Sequence, residues 1–294
     1  MIEKYYDGAI EQVAAGLGTV EKNYLLVRYS GQFSVENLND TKQLEKNEDI
    51  FVQVHEFETG EITCAYEPYL TVICDGFRRY MTGTFEEFME TCDVYYLHRP
   101  VLLGYFNQDN TGREEIILLD EVAYEQERML AALERMLCAI ADRHPVLFVL
   151  NRFQLASKST MQLTARFLKC ENCNIGLVLG VSDIQAMPEF LVPDWEMLYE
   201  TLDDGSKIYH IGNSGRKKEE TIDDEKYVDY GSEKVYRKLQ NMVEFLDFDQ
   251  AAYYLETIER KIKFDNLLVD DAARFRMWLL FVKVSILRQD IPKA

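Results

Sequence analysis

Residues 144–169 read HPVLFVLNRFQLASKSTMQLTARFLK, and this stretch decides the fold class. The run 145–150 is continuously apolar after its proline, which is typical of a strand that is covered on both faces. A helical period follows it, with Ser157 or Ser159 as the N-cap. The next apolar run, 175–181, is again a strand candidate. A strand, a helix and a second strand in this order predict two parallel strands joined by a crossover helix.

The same alternation occupies the first two-thirds of the chain. Two more apolar runs predict strands over 24–29 and 50–56. Two helical periods, over 67–81 and 121–144, lie between the strand candidates. Because the strand candidates do not alternate strictly between apolar and polar residues, both faces of the sheet are expected to be covered. The prediction is a three-layer α/β fold with a mostly parallel sheet and helices on both faces.

The character of the sequence changes after about residue 205. A polar, charge-dense stretch predicts a linker over 216–232, and the residues that follow are helical in period over roughly 233–246, 249–263 and 269–288. The pattern LDFDQAA around Asp247 returns in part 43 residues later, and such a period is typical of stacked helical hairpins. We therefore predict an α/β domain over 1–215 and an all-α helical-hairpin domain over 233–294, whose last hairpin is expected to be truncated.

The charge balance excludes several classes of partner. Lys and Arg number 32 against 51 Asp and Glu, so the formal net charge is -19. A field of this sign repels nucleic-acid backbones and anionic lipids, so we expect neither direct nucleic-acid binding nor membrane binding. A partner that docks on this field is expected to be basic.

Targeting and metal signals are weak in this sequence. The N-terminus lacks a signal-peptide pattern, and no apolar run approaches the roughly 20 residues of a membrane helix. Six scattered cysteines suit reduced thiols, which favours a cytoplasmic location. The CxxC pattern at 170–173 has no second pair, so no metal site is predicted.

The segment GQFSVENL, residues 31–38, has the outline of a phosphate-binding loop that follows a strand. Such a loop needs a second glycine for close backbone approach, a lysine on the phosphates and a hydroxyl on Mg²⁺. Gly31 matches the first glycine of the pattern. Glu36, Asn37 and Leu38 stand at the positions of the second glycine, the lysine and the hydroxyl. These replacements predict that the loop has lost its phosphate chemistry.

The stretch 144–169 resembles the Walker B region of AAA-like signalling ATPases of the STAND class. In that family an apolar strand ends in two acidic residues, followed by an apolar residue, Gln or His, an aromatic residue, Ala and a leucine-rich helix. Here Asn151 and Arg152 replace the acidic pair, and the residues FQLA follow. The helical C-terminal third resembles the tetratricopeptide-like hairpins that often follow such ATPases. The resemblance covers nearly the whole chain through the order and spacing of its motifs, not through catalytic residues.

The resemblance implies a P-loop-NTPase-like sheet from which ATP hydrolysis has been lost, because the acidic pair that holds Mg²⁺ is missing. The preferred hypothesis is a non-catalytic signalling or regulatory scaffold, without cofactor, that mediates protein–protein interaction with a partner or with a downstream effector domain. No catalytic residue and no oligomeric state is predicted.

Three alternatives remain open. The first is a nucleotide-binding switch without hydrolysis, which uses backbone N–H groups near Gly31. The second is an enzyme of unrecognised chemistry in the cleft between the two domains. The third treats both motifs as ordinary strand-to-helix connections, which would leave the α/β prediction unchanged because that prediction depends on periodicity alone.

Overall fold

The structure is a computed structural model that describes residues 2–19, 23–29, 49–58, 60–109, 121–170, 174–182, 187–202, 208–211, 230–264, 267 and 269–288. In chain order, its strands are β1 (Asn23–Tyr29), β2 (Phe51–Glu56), β3 (Val146–Asn151), β4 (Ile175–Ser182) and β5 (Ile208–Ile211). Its α-helices are α1 (Ile2–Gly16), α2 (Tyr69–Tyr80), α3 (Phe85–Thr91), α4 (Arg99–Asn107), α5 (Val122–Ala141), α6 (Lys158–Lys169), α7 (Val192–Leu202), α8 (Glu233–Glu244), α9 (Phe248–Phe264) and α10 (Asp271–Leu287).

The strands form one parallel sheet in the order β2-β3-β4-β1-β5. In this sheet Tyr29 of β1 is in register with Ser182 of β4, and Glu56 of β2 is in register with Asn151 of β3. The four predicted strands are confirmed, and their ends differ from the prediction by one residue or less. The predicted α/β class with a parallel sheet is therefore correct.

Both faces of the sheet are covered, as the continuous apolar runs predict. Alternate residues of each strand point to opposite faces. On one face, Leu25 and Val27 pack with Ile10 and Val13 of α1. On the other face, the strands pack in a larger cluster with α2, α5, α6 and α7. The sheet is thus the middle of three layers in the described part of the chain.

The cap of α6 settles one alternative that the sequence left open. The Ser157 hydroxyl accepts the backbone N–H of Thr160 at 3.2 Å, so Ser157 is the N-cap. Ser159 lies inside the first turn, where its own hydroxyl accepts the backbone N–H of Tyr66 at 3.1 Å. The start of α6 is therefore fixed both by its own cap and by the segment that precedes α2.

Strand β5 is absent from the sequence prediction, whose last strand covers 175–181. The structure pairs Leu26 to Tyr29 of β1 with Ile208 to Ile211. The strand has four residues, so its apolar signal is too short to stand out from its polar neighbours. Helices α1, α3, α4 and α7 are also additions to the prediction.

The three C-terminal helices, α8, α9 and α10, pack against one another around a separate apolar cluster, and we call them the helical unit. Their bounds agree with the helical periods predicted over 233–246, 249–263 and 269–288. Most of the proposed linker, 216–232, lies outside the described residues. Among the helices that the structure describes, none has both the length and the apolar character required to cross a bilayer.

Candidate functional site

The carboxyl ends of the parallel strands meet at one edge of the sheet, which we call the carboxyl edge. The chain leaves β1 for β2 at one side of the sheet and leaves β4 for β5 at the other side. Because β1 and β4 are neighbours and the chain continues from them in opposite directions along the sheet, a topological switch point lies between them. In open α/β sheets, ligands bind in the crevice at such a switch point. The residues at this edge are therefore the first candidates for a functional site.

A buried hydrogen bond between Tyr29 and Asn151 joins β1 and β3 at this edge. The Tyr29 hydroxyl donates to Asn151 Oδ1 at 2.6 Å, and both side chains are buried. The phenol spans the position of β4, which lies between the two strands and carries Gly180 in register with Val27. Burial raises the pKa of Tyr29 to about 12, so the hydroxyl keeps its proton at neutral pH.

Arg152 follows Asn151 and is paired with an acid of the neighbouring strand. Its Nε lies 3.3 Å from Glu56 Oε1, and both side chains are largely covered. The backbone of Arg152 is left-handed, with φ of 52°, and this turns the chain into the short 3₁₀ segment 153–155. Left-handed backbone is unfavourable for residues other than glycine. The Glu56 carboxylate offsets the positive charge that this turn brings to the edge.

Gln154 ties the end of β3 to the end of β4. Its Nε2 donates to the Ser182 carbonyl at 3.1 Å, and its Oε1 accepts the Ser182 backbone N–H at 3.3 Å. The side chain is buried, so both of these bonds are made away from water. A buried amide that satisfies one donor and one acceptor of a strand end is a structural clamp.

The carboxyl edge therefore supplies hydrogen bonds and one ion pair. Mg²⁺ binds preferentially to carboxylate, phosphate and water oxygens. At this edge Glu56 is engaged by Arg152, while Tyr29 and Asn151 are neutral and bonded to each other. In the part of the chain that the structure describes, no three His, Cys, Asp or Glu side chains are grouped to hold a metal ion.

The predicted site residues have different outcomes. The phosphate-loop positions Gly31, Glu36, Asn37 and Leu38 lie outside the described residues. The two positions at the strand end, Asn151 and Arg152, do lie together at the carboxyl edge.

The partners of these two residues were missed by the sequence analysis. Tyr29 is the last residue of the run YLLVRY and Glu56 the last residue of β2. Their positions at strand ends were the available signal, because the ends of parallel strands meet at one edge.

A second polar cluster joins the helical unit to the α/β part, and we call it the docking junction. The Ser159 backbone N–H donates to Asp247 Oδ2 at 3.1 Å, and the Lys158 backbone N–H donates to Gln250 Oε1 at 3.2 Å. The Lys158 ammonium also pairs with Asp249. These donors are the first backbone groups of α6, which have no partner within their own helix. The helical unit thus caps α6 from outside.

The same junction extends along the segment between β2 and α2. The Ala65 backbone N–H donates to Asn241 Oδ1 at 3.1 Å, and Lys238 Nζ donates to the Ile62 carbonyl at 2.7 Å. Gln126 of α5 donates to the Leu246 carbonyl at 2.6 Å. Since this segment begins at the carboxyl end of β2 and α6 follows the carboxyl end of β3, the helical unit is anchored to elements that leave the carboxyl edge.

Asp247 is the most deeply buried acid of the docking junction. Burial raises its pKa from 3.8 to about 6, and the bonds from Ser159 oppose this rise. Lys158 and Asp249 are the charged groups that act on it most strongly, with opposite signs. A carboxyl group with a pKa near 6 changes its charge in the range where a cell's pH varies.

The junction also borders a cavity of about 530 Å³ that lies between α2, α4 and α8. Its volume is in the range of small-molecule pockets. Both arginines at its wall are paired with acids, since Arg78 bonds Asp75 and Arg237 bonds Glu233. Burial raises the pKa of the Cys74 thiol to about 12, so it is not a ready nucleophile at neutral pH.

Comparison of the chain with protein-family models, with curated proteins and with solved structures found no match.

Proposed function

We propose that this protein is a non-catalytic scaffold whose α/β part is a P-loop-NTPase-like domain of the STAND type that no longer hydrolyses ATP. In this proposal residues 1–215 form the degenerate domain, and the tetratricopeptide-like helices of 233–294 contact a protein partner or an effector domain. The proposed location is the cytoplasm, and no cofactor is required. The scaffold role is supported by the contacts of the carboxyl edge and of the docking junction. The interpretation of residues 31–38 as a degenerate phosphate loop is supported by the sequence alone.

The observation that carries the proposal is the bond between Tyr29 and Asn151. At the strand end where the resembling ATPases hold Mg²⁺ with acids, this chain has a neutral amide bonded to a buried phenol. The next residue, Arg152, brings a positive charge that Glu56 offsets. A site built in this way favours a fixed fold over metal binding and phosphoryl transfer.

The docking junction supports the scaffold role. The first turn of α6, the segment before α2 and the helical unit are held together by several hydrogen bonds from buried or half-buried groups. A module that presents a binding surface benefits from a fixed relation between its parts. The alternative of an enzyme in the cleft is less well supported, because both arginines of the 530 Å³ cavity, Arg78 and Arg237, are paired with acids.

A nucleotide titration tests the proposal. The unfolding midpoint of the chain is measured with ATP, ADP and GTP, each with and without Mg²⁺. A genuine site stabilises the fold by about 2.7 kcal/mol when the ligand is a hundredfold above its Kd, and we expect no such effect from any of the three nucleotides, with or without Mg²⁺. Phosphate release is measured in parallel, and we expect none above the buffer background.

The outcomes separate the alternatives. A nucleotide-induced shift that does not need Mg²⁺, without phosphate release, would replace the scaffold by a nucleotide-binding switch. Hydrolysis that is lost in Asn151→Ala but kept in the control Asn241→Ala would place active chemistry at the carboxyl edge and overturn the proposal. Asn241 is a suitable control because it bonds the Ala65 N–H in the docking junction, away from that edge.

A further inference from the structure

Helix α10 is apolar on two opposite sides. One side packs into the helical unit through Ala273, Met277, Leu280 and Val284, which are buried. The other side is also apolar, and we call it the α10 stripe: Phe275, Trp278, Leu279, Val282 and Ile286. Phe275 is 58% exposed and Trp278 54% exposed. Solvent-facing helix surfaces are normally polar, so a contiguous apolar stripe marks a surface with a partner.

The spacing of the stripe indicates what kind of element it contacts. Phe275, Leu279, Val282 and Ile286 follow one another at intervals of four, three and four residues. Apolar residues at these intervals form the seam along which two helices pack side by side. Next to the stripe, Trp278 and Phe281 line an open groove of about 500 Å³ between α9 and α10. The groove provides space for large side chains of a helix laid along the stripe.

Two cations flank the stripe, while one acid, Asp271, lies at its N-terminal end and another, Glu256, lies on the α9 wall of the groove. Arg274 and Lys283 lie on its two flanks in the helical projection, and neither forms an ion pair with a residue that the structure describes. The third cation of the helix, Arg276, is bonded to Glu233 at 2.8 Å. On the α9 wall of the groove, Glu259 is bonded to Lys263 at 2.6 Å. The two flanks of the stripe therefore carry a charge opposite in sign to the net charge of -19 of the chain.

We propose that the α10 stripe binds an amphipathic helix of a partner protein whose apolar ridge is flanked by acidic residues. Acidic flanks complement Arg274 and Lys283, whereas a second copy of this chain presents the same two cations on its own flanks in place of acids. An anionic membrane is disfavoured because the rest of the chain is strongly acidic. This inference rests on the proposed scaffold role and deepens it by naming the chemistry of the partner. Its test uses peptides and no nucleotide, so a failure of this inference is distinguishable from a failure of the proposed function.

The test uses the fluorescence of Trp278 in the full chain carrying Trp195→Phe, which leaves one tryptophan of the two. The probe is a synthetic amphipathic peptide of about three heptads with Leu at positions a and d and Glu at e and g. Its matched control has Lys in place of every Glu. We expect the Glu peptide to shift the Trp278 emission to shorter wavelength and to bind more tightly than the Lys peptide.

Two variants examine the surface itself. Leu279→Glu is expected to weaken binding of the Glu peptide about tenfold, which corresponds to about 1.4 kcal/mol. The control Met197→Glu, at another exposed apolar side chain on α7, is expected to leave binding unchanged. The double variant Arg274→Glu, Lys283→Glu is expected to reverse the preference in favour of the Lys peptide. Circular dichroism confirms that each variant is folded.

Several results would overturn the inference. Equal affinity for the two peptides, or no shift with either, would remove the proposed charge recognition. A Trp278 shift on phosphatidylcholine vesicles containing phosphatidylserine, without a shift on the Glu peptide, would replace the helix by a lipid surface. An emission that depends on protein concentration alone, and that Leu279→Glu makes constant, would replace the partner by a second copy of the chain.

Discussion

The Tyr29 hydroxyl determines how the Asn151 amide is used at the carboxyl edge. The two groups are 2.6 Å apart and neither side chain is exposed, so the amide oxygen is bonded by a protein donor. The Asn151 amide oxygen thus accepts a hydrogen bond from within the protein and serves the packing of the fold. The pair therefore joins β1 to β3, across β4, at the edge where a ligand would be expected.

Tyr29→Phe is expected to lower the free energy of unfolding by about 1–3 kcal/mol, because it removes a buried donor and leaves a buried acceptor behind. The measurement is urea denaturation of the variant and the unmodified chain. Tyr253→Phe is the matched control, since the hydroxyl of Tyr253 has no hydrogen-bond partner among the residues that the structure describes. It is expected to change stability by less than about 0.5 kcal/mol. Equal effects of both variants would contradict the structural role of the Tyr29 bond.

Asp247 gives a prediction about pH. Its pKa is raised by burial to about 6 in the folded chain, from 3.8, so folding favours the protonated form. The contribution of protonated Asp247 to the stability of the fold is complete below about pH 3.8 and is lost as the pH rises through about 6. Asp247→Asn keeps an acceptor for the Ser159 N–H but removes the charge. The advantage of the variant over the unmodified chain is therefore expected to be larger at pH 7.5 than at pH 5, by about 1–2 kcal/mol.

Urea denaturation of both proteins at the two pH values measures this difference. Asp270→Asn is the matched control, since this acid caps α10 through the Ala273 N–H and lies outside the docking junction. The stability difference between Asp270→Asn and the unmodified chain is expected to be the same at both pH values. An Asp247→Asn advantage that is the same at both pH values would show that Asp247 does not titrate in this range.

At the scale of helices, the contact between α2 and α5 depends on one glycine. A Cβ atom built on Gly76 would lie 2.7 Å from a methyl group of Ile140, in a part of the core where Ile140 is fully buried. Gly8 in α1 is the natural comparison, because no atom lies within 4 Å of the same position. The two helical glycines thus differ in packing alone.

Gly76→Ala is expected to destabilise the protein by about 1–2 kcal/mol, since overpacking costs about 1–3 kcal/mol and helix propensity returns part of it. Gly8→Ala is expected to stabilise it by about 0.5–1 kcal/mol, because only the propensity changes. Thermal and urea denaturation measure both variants. A stabilising Gly76→Ala would mean that α5 moves away from α2 at little cost.

The limits of sequence reasoning are visible in particular elements. Strand β3 was predictable because five consecutive apolar residues, 146–150, stand between Pro145 and a change to helical period. Strand β5 has only four residues and polar neighbours, so its pairing with β1 determines it more than its own composition does.

The same limits hold for the side chains of the candidate site. The Tyr29 bond spans 122 positions of sequence, and no periodicity reports such a contact. In the sequence Asp247 stands out only as part of a repeated pattern, whereas in the structure its carboxylate caps the first turn of α6. Patterns predict which face of an element is buried, but partners at the ends of distant elements follow from the assembled sheet.

At the scale of the whole molecule, the helical unit and the α/β part each bury a side chain in the apolar cluster of the other. Ile62, from the segment before α2, is buried in the apolar cluster of the helical unit. In the opposite direction, Phe245 at the end of α8 belongs to the main cluster of the α/β part and contacts the rings of Tyr66 and Tyr105. This exchange, together with the bonds of the docking junction, is expected to make the two parts unfold together.

Ile62→Ala is expected to separate the two unfolding transitions, because the cavity costs about 2–5 kcal/mol and falls inside the helical unit at the contact itself. In the Trp195→Phe background the remaining tryptophan, Trp278 in α10, reports the unfolding of the helical unit. In the Trp278→Phe background the remaining tryptophan, Trp195 in α7, reports the unfolding of the α/β part. In the unmodified chain both reporters should give one urea midpoint, whereas in Ile62→Ala the Trp278 midpoint should be the lower. Ile10→Ala, a similar truncation under α1, should lower both midpoints together, because it leaves the contact between the parts intact. Coincident midpoints in Ile62→Ala would mean that the polar bonds of the docking junction are sufficient to couple the two parts.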